Sequence, residues 1–155
     1  MAITRREFLS QSGQVASGVL LTGVAGAVIA SCGGNPASGG SNLQTINTTS
    51  VSGVITLTIG STSPLDSVGS AALVQHQSGT LLVARTGTST FSVLTATCTH
   101  EACTVNGYSS STQRFICPCH GSVFSVTGQV VSGPAPSALS SRATQFSTDQ
   151  LTITL

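Results

Sequence analysis

Apolar residues from Val51 onward recur in short runs, and no helical periodicity is visible there. In the run Val-Ile-Thr-Leu-Thr-Ile at 54–59, apolar residues alternate with threonine, and residues 60–64 then supply glycine, serine and proline as a break. β-Branched residues bounded by turn residues are typical of strands. The same pattern predicts further strands at Ala71–His76, Leu81–Arg85, Phe91–Ala96, Arg114–Cys117, Ser122–Val126 and Leu151–Leu155. We therefore predict an all-β domain of antiparallel strands over residues 51–155.

The first 31 residues have the layout of an export signal. Arg5 and Arg6 precede a mildly apolar stretch, Val15–Ala30, and this order resembles the twin-arginine type of signal, which carries proteins already folded. Serine, threonine and several glycines interrupt the stretch, and it has only 16 residues. Because a membrane-spanning helix needs about 20 largely apolar residues, we expect residues 1–31 to be a cleaved signal segment.

A lone cysteine, Cys32, ends this apolar stretch. The small residues before it resemble a bacterial lipobox, in which the cysteine is acylated and becomes the mature N-terminus. The alternatives are an uncleaved N-terminal helix that serves as the anchor, or an ordinary cysteine beside a cleavage site. Residues 33–50 are rich in Gly, Ser, Asn and Thr, so we expect 32–50 to be a lipid-anchored flexible linker. Either anchor places the domain on the outer face of the cytoplasmic membrane of a bacterium.

The charge of the chain excludes several classes of function. Only 6% of the residues are charged, and two of the five basic residues lie in the first ten positions. No basic patch is left to bind a phosphate backbone, so nucleic acid is not an expected partner. The sequence has no carboxylate pair, Ser/His/Asp set or phosphate-binding loop. We therefore expect no active site of its own, and an enzymatic role only as a subunit of an oxidoreductase complex.

Two short motifs hold the candidate chemistry. Cys-Thr-His-Glu-Ala-Cys at 98–103 and Cys-Pro-Cys-His-Gly-Ser at 117–122 contain four of the five cysteines and two of the three histidines. Both motifs follow predicted strands, in loops where ligands can converge. Six thiol and imidazole side chains exceed a four-coordinate metal site, so some of them have another role. From the residues alone, one Cys and one His from each motif could bind a metal, while a structural zinc site and a disulfide framework remain alternatives.

The two motifs together resemble the signature of Rieske 2Fe-2S proteins, in the disulfide-bearing branch of cytochrome bc complexes and arsenite-oxidase-like enzymes. Residues 133–136, Gly-Pro-Ala-Pro, resemble the proline loop that covers the cluster in this family. The resemblance implies a Rieske-type antiparallel β domain with a two-loop subdomain that binds one 2Fe-2S cluster. It further implies Cys98 and Cys117 as ligands of a buried iron, His100 and His120 as ligands of an outer iron, and a Cys103–Cys119 disulfide.

The ligand set implied by this resemblance affects both the potential and proton uptake. Two ferric ions, two sulfides and two thiolates sum to zero, so adding an electron is easier than in a four-thiolate cluster. This agrees with roughly −150 to +300 mV for such clusters. Oxidation also makes the outward ring N–H of each imidazole more acidic, which couples electron and proton uptake. The resemblance further implies that Ser122 donates a hydrogen bond to a cluster sulfide. Phe124 replaces a tyrosine of higher-potential members, so we expect an intermediate potential.

The expected function is one-electron transfer as a peripheral carrier or small subunit, with redox proteins such as cytochromes or membrane oxidoreductase subunits as donor and acceptor. Quinol-oxidising members have an apolar residue where this chain has Glu101, and a carboxylate is costly to bury in an apolar quinone pocket. The alternatives are a subunit of a quinol-oxidising cytochrome bc complex or an arsenite-oxidase-like enzyme, a ring-hydroxylating oxygenase component, and a zinc module. We expect no role for His76 or Arg114, and a solvated hairpin turn at 108–111.

Overall fold

The computed structural model describes residues 41–155, and secondary structure in this range consists of strands and turns. Six of the seven predicted strands match an observed strand to within one residue at each end, and the strand at Leu81–Arg85 begins two residues earlier, so the all-β prediction is confirmed. The strands are β1 (Ser41–Asn42), β2 (Gln44–Asn47), β3 (Val54–Thr58), β4 (Ala71–His76), β5 (Gly79–Arg85), β6 (Phe91–Thr95), β7 (Gly107–Ser109), β8 (Arg114–Ile116), β9 (Val123–Ser125), β10 (Val130–Ser132), β11 (Thr144–Ser147) and β12 (Gln150–Thr154).

The strands form three sheets. A four-stranded sheet has the order β2-β4-β5-β6, a three-stranded sheet the order β11-β12-β3, and a five-stranded sheet the order β1-β7-β8-β9-β10. Among the described strands, β2 and β4 form the one parallel pair, and all other pairs are antiparallel. The prediction of purely antiparallel strands therefore needs this one correction.

The four-stranded sheet contributes to two hydrophobic cores. In β4 and β5 consecutive residues are buried, because neighbouring side chains of a strand point to opposite faces. Leu73 and Leu82 belong to a first core, which the five-stranded sheet completes, whereas Val74 and Val83 belong to a second core, which β3 and β12 complete. In β3, Ile55 and Leu57 fill the second core while the threonines between them are exposed. The alternation in the sequence thus marks a strand with one buried face.

The first core supports the two cysteine-containing loops. Its members include the fully buried rings of Phe115 and Phe124, which face each other across β8 and β9, together with Cys98 and Cys117. Tyr108 was predicted to lie in a solvated turn, but it is buried in β7, packs against Phe115 and donates a hydrogen bond to the carbonyl of Gly69 at 3.1 Å. Its ring belongs to the first core. The neighbouring serines indicate a turn, so the burial of Tyr108 could not be predicted from them.

Part of the predicted flexible linker belongs to the folded domain. Residues 41–42 form β1 beside β7, and residues 44–47 form β2 beside β4. Leu43 packs against the first core and Ile46 against the second. The backbone of this polar segment forms hydrogen bonds with β7 and β4, and these bonds hold it in place. Backbone hydrogen bonds do not depend on apolar side chains, so the hydropathy of the sequence does not reveal them. The prediction that the domain begins near Val51 was therefore wrong by about ten residues.

The predicted export signal, the apolar stretch at 15–30 and Cys32 all lie outside the described residues. Within 41–155, no helix is long and apolar enough to cross a membrane. The signal, the lipid anchor and the retained-helix alternative stay predictions.

Candidate metal centre

The two motifs form two loops with the same backbone hydrogen-bond pattern. Loop 1 (98–103) follows β6, and loop 2 (117–122) joins β8 to β9. In loop 1 the Cys98 N–H donates to the carbonyl of the sixth residue, Cys103, at 2.8 Å, and the fifth residue donates back to the Cys98 carbonyl. In loop 2 the Cys117 N–H donates to the Ser122 carbonyl at 2.8 Å, and Gly121 donates back to Cys117. Each loop is therefore a closed turn whose first cysteine lies at its base.

The fifth residue of each loop has a left-handed backbone. Gly121 has φ of 70°, which glycine adopts without steric cost, while Ala102 has φ of 55°, which is strained for a residue with a Cβ. The matching conformation explains why two loops of different sequence close in the same way. Their histidines differ in position, since His100 is the third residue of loop 1 and His120 the fourth of loop 2.

The first cysteine of each loop carries a buried free thiol. Cys98 is 2% exposed and Cys117 is 1% exposed. Burial raises the pKa of the Cys117 thiol, and the Cys98 thiol beside it raises that pKa further, whereas backbone N–H groups of Cys119 and His120 lower it. The two thiols are therefore neighbours, and a metal that binds Cys117 as thiolate must displace its proton.

The two histidines meet at the surface above the loops. Their Nδ1 atoms lie 3.3 Å apart, and the rings stand edge to face with centroids 4.9 Å apart. His100 is half-buried, and the His120 side chain is 45% exposed. The Glu101 carboxylate lies 3.8 Å from the Nε2 atom of His120, and its side chain is 61% exposed. Both imidazoles thus turn one nitrogen towards a common point.

A disulfide joins the two loops. Cys103 at the end of loop 1 is bonded to Cys119 in loop 2, which confirms the pairing that the resemblance implied. The bond is partly exposed at Cys119 and fixes the separation of the two loops. It also removes two thiols from the set of six candidate ligands, and the four that remain are Cys98, His100, Cys117 and His120.

A third segment, the cover loop (133–137), is hydrogen-bonded to both loops. Thr99 in loop 1 donates its hydroxyl to the Ser137 carbonyl at 2.7 Å, and the Ala135 N–H donates to the Ser122 hydroxyl oxygen at 3.2 Å. Gly133 has φ of 95°, and a Cβ there would lie 2.5 Å from the Cα of Ser122, so only glycine allows this close approach. The resemblance implied that residues 133–136 cover the cluster site. It did not predict these two hydrogen bonds, because one partner in each, the Ser137 carbonyl or the Ala135 N–H, is a backbone group.

Ser122 is the one fully buried polar side chain of the described residues. Its oxygen accepts from Ala135, and its own O–H has no acceptor within residues 41–155. A buried hydroxyl proton without an acceptor is unfavourable. The side chain is therefore poised to donate to a group bound between the loops, as the resemblance implied for a cluster sulfide.

The residues present fit a 2Fe-2S cluster of the Rieske type. Two buried thiols, two imidazoles whose nitrogens converge and one hydroxyl donor supply the Cys₂His₂ ligand set and a hydrogen bond to sulfur. His76 lies in β4, where its Nδ1 accepts from the Ser78 N–H at 3.3 Å, and Arg114 begins β8 as an exposed side chain. Neither residue belongs to the two loops, and the expectation that they have no functional role stays a prediction.

Comparison with known proteins agrees with this fit. The sequence profile described as "Rieske [2Fe-2S] domain" matches residues 57–145. The cytochrome b6-f complex iron-sulfur subunit of Cyanothece sp. strain PCC 7425 is 48% identical over 61 residues, which are 39% of this chain and 34% of the relative. The subunit of the same name from Chlorobaculum thiosulfatiphilum is 32% identical over 97 residues, 63% of this chain and 52% of the relative. The matches thus span about a third to a half of these curated relatives.

A solved structure is similar over the folded part of the chain. The cyanobacterial plasma membrane Rieske protein PetC3 from Synechocystis PCC 6803 shares 33% sequence identity with a TM-score of 0.54. The similarity covers 64% of this chain and 99% of that structure.

Proposed function

This chain belongs to the Rieske [2Fe-2S] domain family, and from that premise we propose that it carries single electrons between redox proteins on the outer side of the cytoplasmic membrane. It is an iron-sulfur electron-transfer protein with one 2Fe-2S cluster, homologous to cytochrome b6-f Rieske subunits. It works as a peripheral carrier or as a small subunit of a larger assembly.

The observation that carries this proposal is the convergence of loop 1 and loop 2. Their backbones close in the same way, their first cysteines are buried side by side, and their histidines meet at the surface. The arrangement has a protected side and an accessible side. Electron transfer between proteins requires this combination, because the partner must approach closely while water is kept from the rest of the site.

Four side chains would hold the cluster, with Cys98 and Cys117 on the buried side and His100 and His120 on the exposed side. When bound, a 2Fe-2S cluster accepts or releases one electron at a time. With the cluster bound, the histidines would hold a proton at the ring nitrogen that does not face it, where oxidation of the cluster would couple electron transfer to proton release. Ser122 would donate a hydrogen bond to a cluster sulfide and so favour the reduced state, and the cover loop would shield the site from water.

The proposed location rests on the N-terminal sequence and the disulfide. Structural disulfides persist outside the reducing cytoplasm, and loop 1 and loop 2 are joined by one. The twin-arginine-like segment and Cys32 fit export followed by lipid anchoring, with a retained helix as the other form of anchor. The similar Synechocystis protein is a plasma membrane Rieske protein, which agrees with this proposed location.

A second candidate function is that of a subunit in a quinol-oxidising complex, which the sequence similarity to cytochrome b6-f iron-sulfur subunits favours. Glu101 argues against it. Its carboxylate is 61% exposed beside His120, at the surface where a quinone would have to dock. Desolvating a carboxylate against an apolar pocket is costly unless it is paired.

The test is a redox titration of the full chain in detergent, followed by the EPR signal of the reduced protein between pH 6 and pH 10. We expect a rhombic signal and a midpoint potential that is constant at low pH and falls as the pH rises, because oxidation then releases a proton. The plateau shows whether a quinol is a feasible donor. No signal after anaerobic purification and reconstitution with iron and sulfide would overturn the proposal and favour a zinc module.

A further inference from the structure

The surface around the two histidines is nearly free of charge. We define the rim as the exposed residues of loop 1, loop 2 and the cover loop that surround the histidine pair. Within 97–104, 117–122 and 133–137 the single ionisable side chain other than Cys and His is Glu101. The exposed residues of the rim include Glu101, Ala102, Pro118, His120, Pro134 and Pro136. The electrostatic field at this surface is therefore set mainly by one carboxylate.

No arginine of the described residues neutralises that carboxylate. Arg85 donates to the carbonyls of residues 65, 66, 87 and 88, and its guanidinium stacks on the rings of Phe91 and Phe146. Arg114 and Arg142 form no ion pair within residues 41–155. Within residues 41–155 the one ionisable side chain that pairs with Glu101 is His120, whose Nε2 lies 3.8 Å from the carboxylate, too far for a hydrogen bond. Its negative charge is thus free to interact with a partner.

A carboxylate at the centre of a docking surface discriminates strongly between partners. When two proteins exclude water between them, an unpaired carboxylate is costly, whereas a carboxylate that meets a cation is stabilised. Like charges opposite each other are repelled, and this repulsion slows the encounter. Building on the proposed function, we infer that Glu101 selects a redox partner that presents a basic side chain beside its own electron-transfer site, and that it disfavours acidic and purely apolar partners.

The test measures electron transfer from the reduced full chain to two small oxidants of opposite charge. Tris(phenanthroline)cobalt(III) is a trication and hexacyanoferrate(III) is a trianion, and each accepts one electron from the reduced protein. Stopped-flow rates are compared for the wild type, Glu101→Gln and the control Asp149→Asn. Asp149 lies in the β11–β12 turn of the three-stranded sheet with φ of 61°, a conformation that asparagine tolerates, so the control removes the same charge elsewhere.

The ratio of the two rates isolates the effect of charge. Removing a carboxylate near the site also shifts the reduction potential, but such a shift changes both rates in the same direction. The local charge changes them in opposite directions. At low ionic strength we expect Glu101→Gln to lower the cation-to-anion rate ratio about tenfold, and we expect salt near 1 M to abolish most of this change. Asp149→Asn should leave the ratio within about twofold of the wild type.

Three results would overturn the inference. An unchanged ratio in Glu101→Gln protein with a normal EPR signal would show that Glu101 does not select partners, while the electron-transfer function would stand. An equal fall of the ratio in both variants would show that net charge, and not position, is responsible. A chain that forms no cluster at all would remove the proposed function and the inference with it.

Discussion

Ala102 and Gly121 occupy equivalent positions in loop 1 and loop 2, yet only one of them suits its backbone. Both have a left-handed conformation, and a Cβ added at Gly121 would meet no atom within 4 Å. An alanine at position 121 would therefore have backbone strain without a steric clash of its side chain. This allows a paired experiment in which the same exchange is made in opposite directions.

We expect Ala102→Gly to raise the free energy of unfolding by up to about 1 kcal/mol and Gly121→Ala to lower it by a similar amount. The left-handed conformation costs a residue with a Cβ about 1–2 kcal/mol, and the extra freedom of glycine in the unfolded chain offsets part of this. Denaturant unfolding of both variants checks the prediction. Two changes of the same sign would show that strain is not what distinguishes the loops.

Phe124 has no hydroxyl group, so it cannot donate the hydrogen bond to a thiolate sulfur that a tyrosine at this position could donate. We expect this absence to keep the midpoint potential lower. The Phe124 ring is fully buried in the first core with Cys98 and Cys117. A hydroxyl that reaches a thiolate sulfur there would add a charge-assisted hydrogen bond, worth about 1.5–3 kcal/mol, and part of this would favour the reduced state. We expect Phe124→Tyr to raise the midpoint potential by tens of millivolts, since a one-electron couple shifts by about 59 mV for each tenfold change in its equilibrium constant.

An EPR-monitored titration measures this shift. Phe91→Tyr serves as a control, because Phe91 packs against the second core and its ring contacts Phe146. The control should leave the potential unchanged. A potential that stays constant or falls in Phe124→Tyr would contradict the prediction.

At the scale of elements, the Cys103–Cys119 disulfide determines how firmly loop 1 and loop 2 stay together. It closes a segment with a sequence separation of 16 residues, and a loop of that length corresponds to about 3 kcal/mol in the chain-entropy account. We expect the double variant Cys103→Ser with Cys119→Ser to lose about that much free energy of unfolding and to lose its cluster faster in a chelator. Denaturant unfolding and the decay of visible absorption measure the two effects.

The wild type treated with a reductant should approach the behaviour of the double variant, which controls for the serine side chains. Replacing both cysteines together matters, because a single replacement would leave a new free thiol beside the ligands. Equal unfolding midpoints for the variant and the oxidised wild type would contradict a structural role for the bond.

Apart from β7, the sequence predicted the strands with buried side chains and missed the strands without them. The predicted strands at 54–59 and 71–76 exist because their apolar residues fill the two cores. Five strands were missed. The strands β2, β10 and β11 are short, have no fully buried residue and form through backbone pairing, as does the two-residue β1. The strand β7 was missed because the neighbouring serines indicate a turn. In the site, the Cys and His motifs and the disulfide were predictable from spacing and resemblance. The left-handed conformation of Ala102 and the hydrogen bonds to the cover loop could not be predicted, because they depend on backbone geometry.

At the scale of the whole molecule, the domain includes its N-terminal strands. Leu43 and Ile46 pack against different cores, and β2 forms the parallel edge of the four-stranded sheet. We expect a chain shortened to begin at Val51 to have a free energy of unfolding about 2 kcal/mol lower than one shortened to begin at Ser41, because partial burial of two apolar side chains is lost.

Thermal and denaturant unfolding of the two shortened chains, compared with the full chain, test this expectation. Ile46→Ser in the chain that begins at Ser41 serves as an intermediate case and should lose about half of the difference. Identical midpoints for the two shortened chains would contradict a structural role for β1 and β2.

The links among loop 1, loop 2 and the cover loop form a triangle. Cys103–Cys119 joins loop 1 to loop 2, Thr99 joins loop 1 to the cover loop, and Ser122 joins loop 2 to the cover loop. Each of the three segments is linked to the other two, so no pair can rotate apart without straining the third link. Two segments joined by a single link could rotate about that link. The ligands can therefore move little when the charge of the site changes. For a bound cluster a small movement means a low reorganisation energy, so under the proposed function the barrier to each electron exchange would depend mainly on how closely the redox partner approaches the histidines.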